Sequence, residues 1–138
     1  MQRFFTKHLF LLIVCFVSVD MMGQGINSVV ITAPDSVAGV FTAVRQAWGS
    51  QSNTPIVADA SFVDDGNATT GTIYDGCQAP INNLTGNIAF VDRGVCAFTD
   101  KVLAAQNKGA IAVVICNNNP TEAPFVGAGT NAAITIPS

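Results

Sequence analysis

Apolar residues gather into short runs separated by Gly, Pro, Asn and Asp, and the period of each run predicts its element. The first run, residues 9–19 (LFLLIVCFVSV), follows Arg3, Lys7 and His8 and is stopped by Asp20. A membrane span needs about 20 residues, so this run reads as the apolar region of an export signal. The signal is assigned to residues 1–23, with Gly23 before the cut and Met21 where a small residue is usual. A retained N-terminal anchor is the rival reading, against which Asp20 stands. The β-branched residues 26–32 (INSVVIT) predict a strand ended by Ala33-Pro34-Asp35. In residues 37–48 (VAGVFTAVRQAW), Gly39 and the alternation of Val40, Thr42 and Val44 favour strand over a short helix, with Trp48 in the core. Residues 56–63 (IVADASFV) predict a further strand, ended by Asp64-Asp65-Gly66.

The pattern is sharper beyond residue 85. Residues 88–92 (IAFVD) and 110–116 (AIAVVIC) are apolar runs of the length expected for strands buried on both faces. Asp92-Arg93-Gly94-Val95 is a turn in which Gly94 supplies a positive φ. Between the two runs, Phe98, Val102 and Ala105 recur at helical spacing, with Leu103 widening the stripe. Thr99 is placed as the N-cap, Asp100 in the first turn, Lys108 in the last and Gly109 just beyond the end. Strand, helix and strand in this order predict a βαβ unit with parallel strands and a right-handed crossover. Asp75-Gly76 marks a turn before Cys77, and the Asn-x-Thr triplets at Asn67 and Asn83 mark surface loops.

Composition narrows function by exclusion. The 138 residues allow one domain, or two at most; they are 49% hydrophobic and 11% charged, which rules out a disordered polar tail. The net charge of -3 argues against nucleic acid or an anionic membrane as partner. Removing residues 1–23 leaves four basic and eight acidic residues and takes away His8, the sole histidine. Without imidazole there is no Ser-His-Asp or Cys-His machinery and no His-based zinc site. Asp64-Asp65 is the one adjacent acidic pair; it lacks the spacing of an EF-hand loop and reads as a solvated turn. A Ser-Lys pair would need Lys101 or Lys108, and both belong to a helix whose charged face is expected in solvent. The expectation is therefore no catalytic residue, no cofactor and no metal in this chain. Composition and periodicity reach a secreted α+β domain, and no further.

The stretch GNIAFVDRGVCAFTDKVLAAQNKGAIAVVICNN, with ITIPS at the end of the chain, resembles the protease-associated (PA) domain. The shared elements come in order: Gly-x-Ile-Ala, Asp-Arg-Gly, Cys-x-Phe, Lys-Val-x-x-Ala-Gln, Lys-Gly-Ala and a strand ending in Asn-Asn. Residues 24–138 form the PA-like domain, closely matched over 86–118 and 134–138 and only in style over 24–85. The resemblance implies an open β-sandwich or barrel with flanking helices, containing the βαβ unit. It also implies a non-catalytic module that binds protein or peptide, covers an active site or braces an adjacent catalytic domain, in secreted and membrane proteins that include many peptidases. The family motif brings no universal binding residues. Such domains continue past Ile-Pro-Ser with a further strand or helix, so the chain is expected to be a C-terminally truncated fragment with a bare sheet edge.

Three functions follow as expectations. The first is an accessory module of a secreted peptidase-containing protein, whose partners are a protein or peptide substrate or an adjacent catalytic domain. A binding or adhesion module of a non-enzymatic extracellular protein is the second. The third is a stand-alone hydrolase using Asp64, Asp65 or a Ser-Lys pair. The longest irregular stretch, residues 117–131, holds Phe125, read as a plug over the core in preference to a contact residue.

Export places Cys77, Cys96 and Cys116 in an oxidising compartment. Cys77 and Cys96 sit in turns flanking the 88–92 strand and are assigned to each other; a Cys96–Cys116 bond or an intermolecular partner for Cys116 are the rivals. The Cys-x-x-Cys spacing of a redox enzyme is absent. Thiol titration of the folded chain without its signal is expected to find one free thiol, and a count of three or none overturns the pairing.

Overall fold

The computed structural model describes residues 26–138 apart from 52 and 70. The 1–23 signal assignment lies outside the described residues. Among them the chain forms two sheets and one helix, and neither sheet closes into a barrel.

The β-branched N-terminal segments form a two-stranded antiparallel ribbon, β1 (Ile26–Ile31) with β2 (Gly39–Val44), in register from Ile26↔Val44 to Ile31↔Gly39. One face of this ribbon is open, its cross-strand pair Val30 and Val40 being 59% and 73% exposed, and Phe41 on the opposite face is 48% exposed. The second sheet is parallel, in the order β3 (Ala60–Phe62), β4 (Ile88–Asp92), β5 (Ala112–Cys116). Helix α1 (Phe98–Asn107) lies in the connection from β4 to β5.

The strand expected over 56–63 is shorter than its apolar content implied. Only Ala60–Phe62 pairs with β4, and Ile56 and Val57 ahead of it are exposed. The reason is register: β4 offers partners only from Ile88 onward. Beyond Phe62 the chain turns away at Asp64, whose carboxylate accepts the Gly66 N–H at 2.9 Å.

Both helix ends differ from the sequence expectation. The N-cap is Ala97, without a side-chain cap, and its carbonyl accepts the Asp100 and Lys101 N–H groups. Thr99 lies inside the first turn and is buried, so its hydroxyl is not placed to cap the helix. At the other end Lys108 is itself the C-cap, and no basic residue occupies the last turn. Gly109, at φ 91°, follows as C′. The Gly109 N–H donates to the Gln106 carbonyl at 2.9 Å and the Ala110 N–H to the Ala105 carbonyl at 3.2 Å. These two bonds are the Schellman pair, which satisfies carbonyls that the helix end would leave unpaired.

Val91 of β4, Val113 of β5, and Val102 and Ala105 of α1 meet in one core with Val63 and Leu84. Trp48 and Ile134 join the same cluster. Leu84 is fully buried although it lies within an Asn-x-Thr loop whose flanking Asn83 and Thr85 are exposed. Irregular segments are held by two glutamines. Gln106 of α1 donates to the Ala133 carbonyl at 2.8 Å and accepts the Thr135 N–H at 2.7 Å. Gln46, buried, donates to the Phe125 carbonyl at 3.3 Å and accepts the Gly127 N–H at 2.7 Å. Residues near the end of the chain lie against β5, where the Val113 N–H donates to the Pro137 carbonyl at 3.0 Å.

Truncating Leu84 removes a fully buried side chain from a loop with little freedom to collapse. Leu84→Ala is expected to cost about 2–5 kcal/mol in urea denaturation, against less than about 0.5 kcal/mol for Val57→Ala, which is 92% exposed. Equal midpoints for the two variants contradict this core assignment.

Candidate functional site

The turn between β4 and α1 brings the chain's polar chemistry to one place. Asp92 and Arg93 are tied down by their N–H groups, which donate to the Tyr74 and Cys116 carbonyls at 2.9 Å each. Gly94 and Val95 then both take positive φ, 114° and 64°. Glycine adopts that conformation freely; a β-branched valine there is an outlier held by its surroundings. The reversal carries Cys96 back to the sheet, where it is bonded to Cys77 with an S–S distance of 2.10 Å and Cα atoms 5.7 Å apart. Cys116 is a free, half-buried thiol, pushed above its ordinary pKa by burial and by the nearby Asp92 charge.

An open cleft of about 300 Å³ follows this turn, with Arg93, Val95, Cys96 and Phe98 on one side and Phe125 and Gly127 on the other. Arg93 organises it. Its guanidinium donates to Asn117 Oδ1 at 2.9 Å, pairs with the Glu122 carboxylate and lies 4.7 Å from the centre of the Phe125 ring. Phe125 in turn packs on Phe98 at 5.8 Å. The ring anchors its loop, as a plug would, yet remains 38% exposed and so also presents a face to the cleft. Gly127 permits the close approach: a Cβ there would stand 2.4 Å from the Phe98 ring. A second cleft of about 380 Å³, lined by Asn27, Arg45, Gln46, Gln51 and Asn53, is occupied by its own hydrogen bonds, Arg45 donating to Asn53 at 3.3 Å and to Asn27 at 3.2 Å.

The acidic pair is drawn into the loop that carries it. Asp65, expected in a solvated turn, is 6% exposed. Its two oxygens accept the Asn67 N–H at 3.0 Å and the Gln78 N–H at 3.3 Å, so the carboxylate is spent on shaping the 64–78 loop. Asp75, also buried, accepts the Cys77 N–H at 2.9 Å in the same way. Among the described residues no cluster of three His, Cys, Asp or Glu side chains could hold a metal ion.

Lys101 overturns its expectation most fully. Rather than lying on a solvated helix face, it is completely buried. Its amine donates to the Asp75 carbonyl and lies 3.3 Å from Cys77 Sγ of the disulfide. Burial pushes its pKa below the ordinary 10.5, while the charges of Asp75, Asp65 and Asp92 oppose that shift. The signal was present in the helical period: position 101 lies three residues after Phe98 and four before Ala105, on the flank of the apolar stripe. Lys108 is half-buried at the C-cap.

Comparison with known proteins places this geometry. The family model for the PA domain matches residues 51–138, which include the disulfide, Lys101 and the Arg93 cleft. A probable lipoprotein aminopeptidase of Mycobacterium tuberculosis, LpqL, is 32% identical over 106 residues, covering 77% of this chain and 17% of that protein. A PRADC1-like protein of Drosophila melanogaster is 42% identical over 51 residues, covering 36% of this chain and 26% of that protein. The chain thus spans a minor part of the length of these curated relatives.

The buried amine has a consequence for stability. Between its lowered folded pKa and 10.5, the unfolded chain holds a proton that the folded chain has released, so stability rises with pH across that window. Cys116 acts in the opposite sense above 9.0, because its folded pKa is raised, and this contribution is common to both proteins compared. The denaturation midpoint of the wild type is therefore expected to climb relative to Lys101→Met as pH rises through the window that ends at 10.5. A constant difference between the two proteins refutes the burial of a titrating amine.

Proposed function

The chain belongs to the PA domain family, and from that membership we propose that it is a non-catalytic protein- or peptide-interaction module of a secreted, peptidase-containing protein. The observation that carries the reading is the Arg93–Phe125 cleft. It presents a guanidinium and an aromatic face side by side in an open groove, a combination suited to binding polypeptide. The acidic residues point the same way, since the Asp65 and Asp75 carboxylates are spent on loop backbone. The aminopeptidase relative supports a peptidase as the setting.

In this reading the two sheets are the leaves of an open sandwich, and β4, α1 and β5 are its βαβ unit, supported by the parallel pairing of β4 with β5. The adjacent catalytic domain is the second partner. The open face of the β1–β2 ribbon supports that role, because the paired Val30 and Val40 leave uncharged apolar surface on it of the kind that rests against a neighbour.

The purified chain is expected to bind extended peptides from a random decapeptide library without hydrolysing them. Arg93→Ala and Phe125→Ala should each weaken that binding at least about fivefold, the scale of a residue that matters at an interface, while far-ultraviolet circular dichroism stays unchanged. Peptide cleavage that is lost in Asp65→Asn, or binding indifferent to both cleft substitutions, would overturn the reading.

A further inference from the structure

The Cys77–Cys96 bond has two chemically different ends. Cys96 lies in the wall of the open cleft, beside Val95 and Phe98. Cys77 Sγ turns toward the interior, 3.3 Å from the amine of the fully buried Lys101 and 3.9 Å from the Gly94 carbonyl. The charges of three carboxylates, Asp75, Asp65 and Asp92, act on that amine, and each carboxylate has a hydrogen-bond donor of its own. Asp65 and Asp75 accept loop N–H groups, and Asp92 accepts the Thr72 hydroxyl at 2.7 Å. The amine is left directed at the Asp75 carbonyl and the sulfur.

We propose that this bond is a site of thiol–disulfide exchange with a small thiol, at which Cys96 is attacked and Cys77 departs. An incoming thiolate, its proton already lost to solvent, enters through the cleft and forms a new S–S bond to Cys96 Sγ. The Cys96–Cys77 bond breaks and its electron pair passes to Cys77 Sγ, which becomes a thiolate beside the Lys101 ammonium. The product carries the small thiol as a mixed disulfide on Cys96. A second thiolate attacking the small-molecule sulfur of that mixed disulfide releases Cys96 as a thiolate that takes a proton from solvent. The protein bond is then reduced, and two small thiols are oxidised to their own disulfide.

The direction of cleavage follows from leaving-group chemistry. A thiol of lower pKa leaves faster, and a neighbouring lysine ammonium lowers a thiol pKa from about 8.5 into the range of roughly 3.5–7.5. Cys77 has such a neighbour. Cys116 supplies the contrast within the same chain, for burial and Asp92 push its thiol upward.

Reduced glutathione is the probe. The folded chain is exposed to it, quenched with acid at short times and mapped by peptide mass spectrometry. Glutathione is expected on Cys96 while Cys77 is free. After full reduction, Cys77 should react with iodoacetamide at a pH well below that needed for Cys116. Lys101→Met should slow the first exchange on the order of tenfold. Glutathione found on Cys77, or shared evenly between the two cysteines, overturns the proposal, as does a Cys77 that titrates together with Cys116. An unchanged exchange rate in folded Lys101→Met does the same. If that variant does not fold, the site of the adduct and the Cys77 pH profile in the wild type decide the matter.

Discussion

A lysine ammonium taken out of water costs several kcal/mol unless polar groups replace its hydration, and the placement of Lys101 organises much of the domain around that cost. The helix that carries it packs one face on the sheet through Val102 and Ala105, which directs position 101 at the 64–78 loop. The loop answers with the Asp75 carbonyl and with negative charge from Asp65 and Asp75, to which Asp92 at the end of β4 adds its own. It can do so because its own polar groups are already ordered by Asx-type bonds from Asp64, Asp65 and Asp75 to N–H groups two residues on. Gly76 completes the fit, since a Cβ there would stand 3.3 Å from Val91, 3.5 Å from Val63 and 3.9 Å from Lys101 Cβ. A loop with little regular structure is thus made part of the core by one cation.

The disulfide and the two glutamines extend the same principle to the rest of the irregular chain. Cys77 joins the ordered loop to Cys96 at the turn that leads into α1. Gln106 reaches from α1 to residues 133–136, and Gln46 from the end of the ribbon segment to residues 125–127. Each glutamine uses both its donor and its acceptor on backbone that has no strand partner, so those segments are fixed without pairing into a sheet. The cleft is a result of this arrangement. One wall is the β4–α1 turn; the other is the loop held by Gln46 and by Arg93, whose guanidinium serves Asn117, Glu122 and Phe125 together.

The polar side chains around this surface are drawn into the fold itself. Here Asp65 and Asp75 are committed to backbone, Lys101 is sealed beneath the loop, and Glu122 is paired with Arg93. The cleft itself is lined by the Arg93 guanidinium, the Phe125 ring, Cys96 of the disulfide and glycine backbone.

Periodicity and punctuation were enough to read β4, α1 and β5, because each buries a face that repeats at its own period and is closed by residues with strong local preferences, such as Gly94 and Gly109. The family was legible for a related reason: its motif is a run of consecutive elements whose order survives in the chain. The burial of Lys101 and Asp65 was not legible, although the helical period placed position 101 beside the apolar stripe. Charged side chains are assigned to solvent by default, and only a loop folded over them from distant sequence supplies what burial requires. The N-cap at Ala97 and the shortness of β3 were decided in the same way, by a turn tied to Tyr74 and Cys116 and by the reach of a neighbouring strand. Local sequence therefore determined which segments are regular and which way they face. Tertiary structure alone decided which polar groups go inside, because that depends on partners 26 residues away for Lys101 with Asp75 and 81 residues away for Gln46 with Gly127.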